Sequence, residues 1–137
     1  MRLSLKDREE ISRGIWANER FVDIARRINR YEKTHFTYQF HGVCAGNARG
    51  IFSSKIGCCS DYTAFSVYCL QKAGYEAGAI KVVSPTGKIY HVVCEYKDNG
   101  KLYIMDNSCV SCTPNGIGIL EKEKYTNNHR QIGYGYQ

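Results

Sequence analysis

The chain has 137 residues, of which 43% are hydrophobic and 12% aromatic, and its formal net charge is +6. This length suggests a single domain over residues 1–137 with one modest core, and the composition is that of a globular protein. No apolar run approaches the ~20 residues of a membrane span, and residues 1–10 lack the apolar core of a signal peptide. We therefore predict a cytoplasmic protein that has no membrane partner.

The cysteines argue against a disulfide-framework protein, and the charges argue against a nucleic-acid-binding protein. Seven cysteines are an odd number, and no export signal is visible, which favours reduced thiols over a disulfide framework. The N-terminal third alternates basic and acidic residues, a pattern typical of solvated helix faces rather than of a nucleic-acid surface. We do not expect a nucleic-acid partner.

The first half of the chain carries mainly helical patterns. A weak capping box opens a short helix, and an apolar face recurs at helical spacing in the next segment. The predicted elements are helices at residues 5–13, 19–31 and 48–55, with an extended segment at residues 34–40.

A longer amphipathic helix is predicted over residues 62–73. Its apolar positions are Tyr62, Phe65, Cys69 and Ala73, and Gly74 follows as a natural stop. Cys59 should lie at or near the helix N-terminus, where unpaired N–H groups and the helix dipole favour thiolate over thiol. A thiolate there is a candidate nucleophile that needs a base.

After Gly74 the period changes to two, which indicates strands. Strands are predicted at residues 77–83, 88–96 and 101–106, with a possible last strand at Ile117, Ile119 and Leu120, and residues 133–137 are expected to be loosely ordered. The fold class is therefore α+β, with N-terminal helices and a nucleophile helix packed on an antiparallel sheet.

Strand alternation places His91 and Asp106 on the same face of neighbouring strands. If the central pair of the turn is Asp98-Asn99, the two side chains are directly opposed, which is the register we favour. If the turn is Asn99-Gly100, they are diagonal on the same face, and a three-residue loop would separate them. Either two-residue turn allows a hydrogen bond between imidazole and carboxylate.

A thiol at a helix start, a histidine on a strand and a carboxylate beside it form the logic of a thiol triad. Cys59 would attack, His91 would move the proton, and Asp106 would orient His91. The alternative interpretation is a buried cysteine, a core histidine and a strand-end aspartate that are unrelated.

The chain resembles the transglutaminase-like superfamily, which has the papain-like fold, over roughly residues 24–106. The family's nucleophile motif G-x-C-x-D-[YF]-[AST] stands here as Gly57-Cys58-Cys59-Ser60-Asp61-Tyr62-Thr63, followed by a helix ending in Gly74 and then a strand. The family's His opens a block that ends in an aromatic residue, two residues and Asp, here His91 and then Tyr103-Ile104-Met105-Asp106. The resemblance implies Cys59 as nucleophile, His91 as base and Asp106 as orienter.

Three features depart from the family pattern. Val92 and Val93 stand where a Trp often follows the His, and Tyr103 replaces a usual Trp. Cys58 adjoins Cys59 and could compete as nucleophile, because the assignment rests on motif register alone.

The resemblance implies a cysteine-dependent hydrolase or acyl transferase, of the thiol protease or amidase type, that needs no cofactor. Its substrate would be a peptide, a protein or another amide, cleaved through a thioester. Hydrolysis is favoured over amine transfer, because little chain remains for an amine-binding site. The alternatives are a catalytically inactive binding module that keeps the fold, or a cross-linking transglutaminase.

Two further groups of residues could carry chemistry. Gln39 is a candidate side-chain donor to the oxyanion and for substrate binding. His41, Cys44, Cys109 and Cys112 could hold zinc, or the last two could be a redox pair. The simplest interpretation of these cysteines is ordinary thiols, so we predict no metal.

Overall fold

The computed structural model describes residues 21–39, 47–83, 86–87, 90–106, 118–125 and 130–134. The predicted helix at residues 5–13 lies outside the described residues. The helices are α1 (Phe21–His35), α2 (Ala48–Ser54), α3 (Cys59–Lys72) and α4 (Lys122–Tyr125). The strands are β1 (Thr37–Tyr38), β2 (Ile56–Gly57), β3 (Ala77–Val83), β4 (Tyr90–Asp98), β5 (Lys101–Met105), β6 (Ile119–Glu121) and β7 (Arg130–Tyr134).

Helix α1 forms where the apolar face predicts it, and Ile24, Ala25 and Ile28 are buried. It continues past the predicted end, because the Phe36 N–H still donates to the Glu32 carbonyl at 2.9 Å. The predicted extended segment at residues 34–40 is therefore shortened to the two residues of β1.

The main sheet has five antiparallel strands in the order β6-β5-β4-β3-β7. β3, β4 and β5 form the predicted meander. The turn between β4 and β5 is Asn99-Gly100, and both residues have positive φ, 51° and 81°. This is the geometry of a type I′ hairpin turn, and Asp98 pairs with Lys101 across it.

The sheet divides the core into two clusters. Cys94 and Tyr96 of β4 lie with α1 and α3 in the larger cluster. Val93 of β4 and Ile104 of β5 lie in the smaller cluster with Tyr125 of α4. Alternate β4 residues thus face opposite sides of the sheet, and Val93, Cys94 and Tyr96 are buried because both sides are covered.

The C-terminal part of the chain differs from the sequence prediction. β6 confirms the possible last strand, but α4 and β7 were not predicted. β7 pairs with β3 on the opposite edge of the sheet, so Gly133 and Tyr134 belong to a strand. Sequence patterning missed β7 because glycine interrupts its alternation. Within the described residues, no helix combines the length and apolar character that a bilayer span requires.

Candidate active site

The nucleophile helix α3 begins at Cys59, three residues earlier than the amphipathic pattern alone indicated. Asp61 is buried and accepts a hydrogen bond from the Cys58 N–H at 3.1 Å, so it caps the helix. A Cβ on Gly57 would lie 2.7 Å from the Asp61 Cβ and 2.8 Å from Ile51 Cδ1. The motif therefore requires glycine at position 57 to leave room for the cap.

The chain reaches this helix through a sharp change of direction at Lys55. Asn47 caps the N-terminus of α2 by accepting a hydrogen bond from the Gly50 N–H at 2.7 Å. Lys55 is the C-terminal cap of α2 and has a φ of 64°. The Lys55 ammonium lies 4.1 Å from the centroid of the Phe52 ring, a cation–π contact. After this turn, β2 pairs in parallel with β1, and α3 begins two residues later at Cys59.

His91 and Asp106 are hydrogen-bonded, with 2.6 Å between His91 Nε2 and Asp106 Oδ1. The favoured register is wrong: Cys94 pairs with Met105, so His91 and Asp106 are diagonal rather than directly opposed. The cause is that the turn is Asn99-Gly100, the second of the two turns that the sequence analysis considers. The diagonal pair is still on one face, so the predicted contact forms.

The side chain of Tyr125 also contacts Asp106. Its hydroxyl donates to Asp106 Oδ2 at 3.0 Å, and both residues are 1% exposed. Asp106 thus accepts from His91 with one oxygen and from Tyr125 with the other. No sequence motif pointed to Tyr125, because it lies 19 residues beyond Asp106 in a short charged helix.

The Cys59 thiol lies against His91 and the backbone of Val92. Burial alone would raise the pKa of Cys59, but hydrogen bonds from the His91 side chain and the Val92 backbone outweigh burial and lower it. Cys59 is partly exposed, whereas Cys69 and Cys94 are buried and free. Burial raises the pKa of both core thiols well above the ordinary value, so Cys59 is the activated one.

The pKa of His91 is shifted in the opposite direction. Burial would lower the pKa of His91, but its hydrogen bonds with Asp106 and Cys59 outweigh burial and raise the pKa to about 10. Because Nε2 is occupied by Asp106, Nδ1 is the ring nitrogen left for the thiol. A lowered thiol pKa beside a raised imidazole pKa favours a thiolate–imidazolium pair at neutral pH.

Thr63 couples the nucleophile helix to the histidine strand. Its Oγ1 donates to the Val92 carbonyl at 3.0 Å, one turn after Cys59 on α3. This bond joins α3 to β4 at Val92, the residue whose backbone also lowers the pKa of the Cys59 thiol. Thr63 belongs to the nucleophile motif, but its hydrogen-bond partner, the Val92 carbonyl, could not be predicted from the sequence.

Tyr38 lies near Cys59, because burial and then the charge of Cys59 raise the pKa of its hydroxyl. Gln39, the donor suggested by the sequence, has an exposed side chain, and its backbone N–H donates to the Gly57 carbonyl at 2.9 Å. A role for Gln39 stays a prediction. Period two from Phe36 places Tyr38, and not Gln39, on the Phe36 side of the segment, which is the signal that could have found it.

Cys58 is disulfide-bonded, and its partner lies outside the described residues. This differs from the expectation of reduced thiols, and it removes Cys58 as a competing nucleophile while the bond is intact. Persistent disulfides are rare in the cytosol, so a cytoplasmic location stays a prediction.

The candidate zinc ligands His41, Cys44, Cys109 and Cys112 all lie outside the described residues. Among the residues that are described, no group of three or more His, Cys, Asp or Glu side chains is arranged to hold a metal ion.

Comparison with known proteins agrees with this architecture. A transglutaminase crystal structure superposes on 79% of this chain and 34% of its own length, with a TM-score of 0.58 and 11% identity. A protein from Cytophaga hutchinsonii, provisionally named a cysteine protease, superposes on 93% of this chain and 46% of its own length, with a TM-score of 0.64 and 14% identity. At these identities the likeness shows the fold alone.

The chain spans about a third to a half of the length of these two proteins. No curated protein sequence matches it significantly. The sequence model of one family, DUF553, described as a transglutaminase-like domain, matches residues 3–130. The chain therefore belongs to the transglutaminase-like domain family, with the mixed helix and antiparallel-sheet fold of its papain-like relatives.

Proposed function

We propose that this protein is a cysteine-dependent enzyme that breaks an amide or related acyl bond through a thioester on Cys59. The observation that carries the proposal is the 2.6 Å hydrogen bond between His91 and the buried carboxylate of Asp106, beside a Cys59 thiol whose pKa His91 lowers. Three unrelated groups would not be expected to combine a lowered thiol pKa with an imidazole hydrogen-bonded to a buried carboxylate.

Each residue has one step to perform. The Cys59 thiolate attacks the carbonyl carbon, and the carbonyl electron pair moves onto oxygen to form a tetrahedral oxyanion. The oxyanion collapses, the bond to the leaving amine breaks, and the His91 imidazolium gives that amine its proton. Asp106 holds the ring in place and stabilises its positive form.

The second half-reaction regenerates the thiol. An acceptor molecule attacks the thioester carbon while neutral His91 takes its proton, and the carbon–sulfur bond breaks. We propose water as the acceptor, because the His91 side chain is 20% exposed and Cys59 is partly exposed, so solvent reaches both groups. The product is then a carboxylic acid, and the substrate class is a peptide, a protein or another amide.

A test of the proposal needs no knowledge of the natural substrate. p-Nitrophenyl acetate carries an activated acyl group, and the enzyme should release a burst of one nitrophenolate per active site. Mass spectrometry of the quenched protein should find the acetyl group on Cys59. Cys59→Ala should abolish the burst, whereas Cys69→Ala, a buried thiol of the same helix, should keep it.

Two results would overturn the proposal. An acetyl group on another residue would mean that Cys59 is not the nucleophile, and absence of any burst would favour the inactive binding module. Adding a primary amine separates hydrolysis from transfer: amide formation that displaces acid formation at low amine concentration would favour a cross-linking transglutaminase.

A further inference from the structure

One face of β4 carries His91, Val93 and Glu95, because alternate residues of a strand point to the same side. At about 3.3 Å per residue, His91 and Glu95 lie roughly 13 Å apart along the strand. Tyr125 of α4 lies in the core cluster that contains Val93. The Lys122 ammonium, at the start of α4, is 2.5 Å from Glu95 Oε2. Helix α4 therefore contacts this face at Glu95 and at Val93, on the side of the sheet where His91 lies.

The four residues of α4 pack on the sheet through one side only. Lys122 and Tyr125 are three residues apart, so they are neighbours on the helix surface. Tyr125 is buried and Lys122 is half-buried, whereas the two residues between them are exposed. A single helical turn is not stable on its own in water. The position of α4 is therefore set by the contacts of Lys122 and Tyr125 and not by helix propensity.

The segment that contains β6 and α4 holds Asp106 at both its main chain and its side chain. The Asp106 N–H donates to the carbonyl of Gly118, directly before β6, at 2.8 Å. The Tyr125 hydroxyl donates to Asp106 Oδ2 at 3.0 Å, while Oδ1 is 2.6 Å from His91 Nε2. Partners on both oxygens fix the rotation of the carboxylate, and with it the direction in which Oδ1 meets the imidazole.

Resting on the function proposed above, we propose that Tyr125 is a positioning residue of the triad and that the ion pair of Lys122 with Glu95 keeps it in place. The Lys122 and Glu95 side chains are 23% and 19% exposed, so solvent screens this pair less than a surface pair. While the pair is intact, Tyr125 fixes Asp106 and Asp106 orients His91. When the pair is broken, α4 loses its contact at Glu95, Tyr125 is bonded to Asp106 for less of the time, and the imidazole is held less firmly.

Alkylation of Cys59 by iodoacetamide reports the state of the triad without a substrate. The rate is measured as a function of pH in Lys122→Met and in Glu95→Met, each of which removes the ion pair and keeps a long side chain. We expect the midpoint of both profiles to move upward and the rate near pH 6 to fall about fivefold, the scale of a partly exposed ion pair. The high-pH plateau, where the thiol is ionised without help from His91, should be unchanged.

The two variants change the net charge in opposite directions, which separates positioning from simple electrostatics. Loss of the Lys122 cation by itself would raise the pKa of the Cys59 thiol, and loss of the Glu95 anion by itself would lower it. Shifts of opposite sign would therefore overturn the inference. Lys101→Met is the matched control, because Lys101 lies 3.9 Å from Glu121 and its side chain is 68% exposed. It should leave the profile unchanged.

A double variant tests whether the ion pair acts through Tyr125. Tyr125→Phe should move the midpoint upward as well. Adding Lys122→Met to Tyr125→Phe should then cause little further shift, because both changes act on the orientation of Asp106. Fully additive shifts would mean that the ion pair affects the triad by another route, and the inference would be wrong.

The same reagent shows whether each variant is folded. Cys69 and Cys94 are buried, so a folded variant leaves them unlabelled. If only one of Lys122→Met and Glu95→Met exposes these thiols, the other variant decides. Exposure in both would make the ion pair a general structural contact, and an unshifted profile in both would show that it does not affect the triad; either result overturns the inference. A wild-type burst with p-nitrophenyl acetate leaves the proposed function standing in these cases, whereas shifted profiles without that burst overturn the proposed function alone.

Discussion

Replacing Tyr125 by Phe removes the hydroxyl that the buried carboxylate of Asp106 uses as its second hydrogen-bond donor. The ring itself is retained, with its packing against Ile80, Val82, Val93 and Ile104. Among the described residues, the change removes the hydrogen bond of 3.0 Å between two side chains that are each 1% exposed.

The magnitude follows from the chemistry of that bond. A hydrogen bond to a charged group contributes about 1.5–3 kcal/mol, and a buried acceptor that loses its donor cannot recover it from solvent. We expect the free energy of unfolding of Tyr125→Phe to fall by that amount. Because Asp106 orients His91, the alkylation rate of Cys59 near pH 6 should fall as well.

Urea unfolding followed by circular dichroism measures the first effect. With a slope of about 1–3 kcal/mol per molar urea, a loss of that size displaces the midpoint by roughly 1 M. Tyr103→Phe is the matched control, since Tyr103 is half-buried and stacks on Tyr96 rather than on the triad. It should change stability by less than about 0.5 kcal/mol. Equal midpoints for the two variants would refute the account of Asp106.

Three more substitutions test other contacts. Gly57→Ala places a Cβ 2.7 Å from the Asp61 Cβ, so overpacking should cost about 1–3 kcal/mol in urea unfolding; wild-type stability would contradict this reasoning. Glu32 is fully buried with a raised pKa caused by burial, so the folded state holds a proton that the unfolded state releases above about pH 4. Wild-type stability should then fall as pH rises, by at most about 1.4 kcal/mol per pH unit, and Glu32→Gln should flatten that slope; parallel pH curves would argue against it. Thr63→Val removes the 3.0 Å bond to the Val92 carbonyl and should cost about 1 kcal/mol and slow Cys59 alkylation at low pH. Thr63→Ser should restore both properties, and a failure of Ser to do so would point to lost packing instead.

Patterns that depend on neighbours in sequence predicted much of the fold. Residues 77–83 form β3 with the predicted bounds. The Asn99-Gly100 dipeptide has the residues that a type I′ turn requires, whereas the prediction favours the pair Asp98-Asn99, so the predicted pairing of β4 with β5 is wrong by two residues. The contact of His91 with Asp106 survived because both two-residue turns keep them on one face.

The parts that were missed depend on contacts that distant segments make. Tyr125 reaches Asp106 only because α4 folds back over the sheet after β6, and a four-residue helix has too little periodicity to predict. Tyr38 was missed for another reason. The sequence analysis names Gln39 as the candidate oxyanion donor because of its amide, although strand alternation places Tyr38 and Phe36 on one side of the segment.

The most direct test of the triad is the pH dependence of Cys59 alkylation by iodoacetamide, with mapping of the modified thiol. We predict that Cys59 is labelled before Cys69 and Cys94, at a rate that persists well below pH 8.5, the pKa of a free thiol. In His91→Ala the midpoint should move upward, because the hydrogen bond and the charge that lower the pKa of Cys59 are removed. Labelling of another cysteine first, or an unchanged pH profile in His91→Ala, would show that His91 does not activate Cys59.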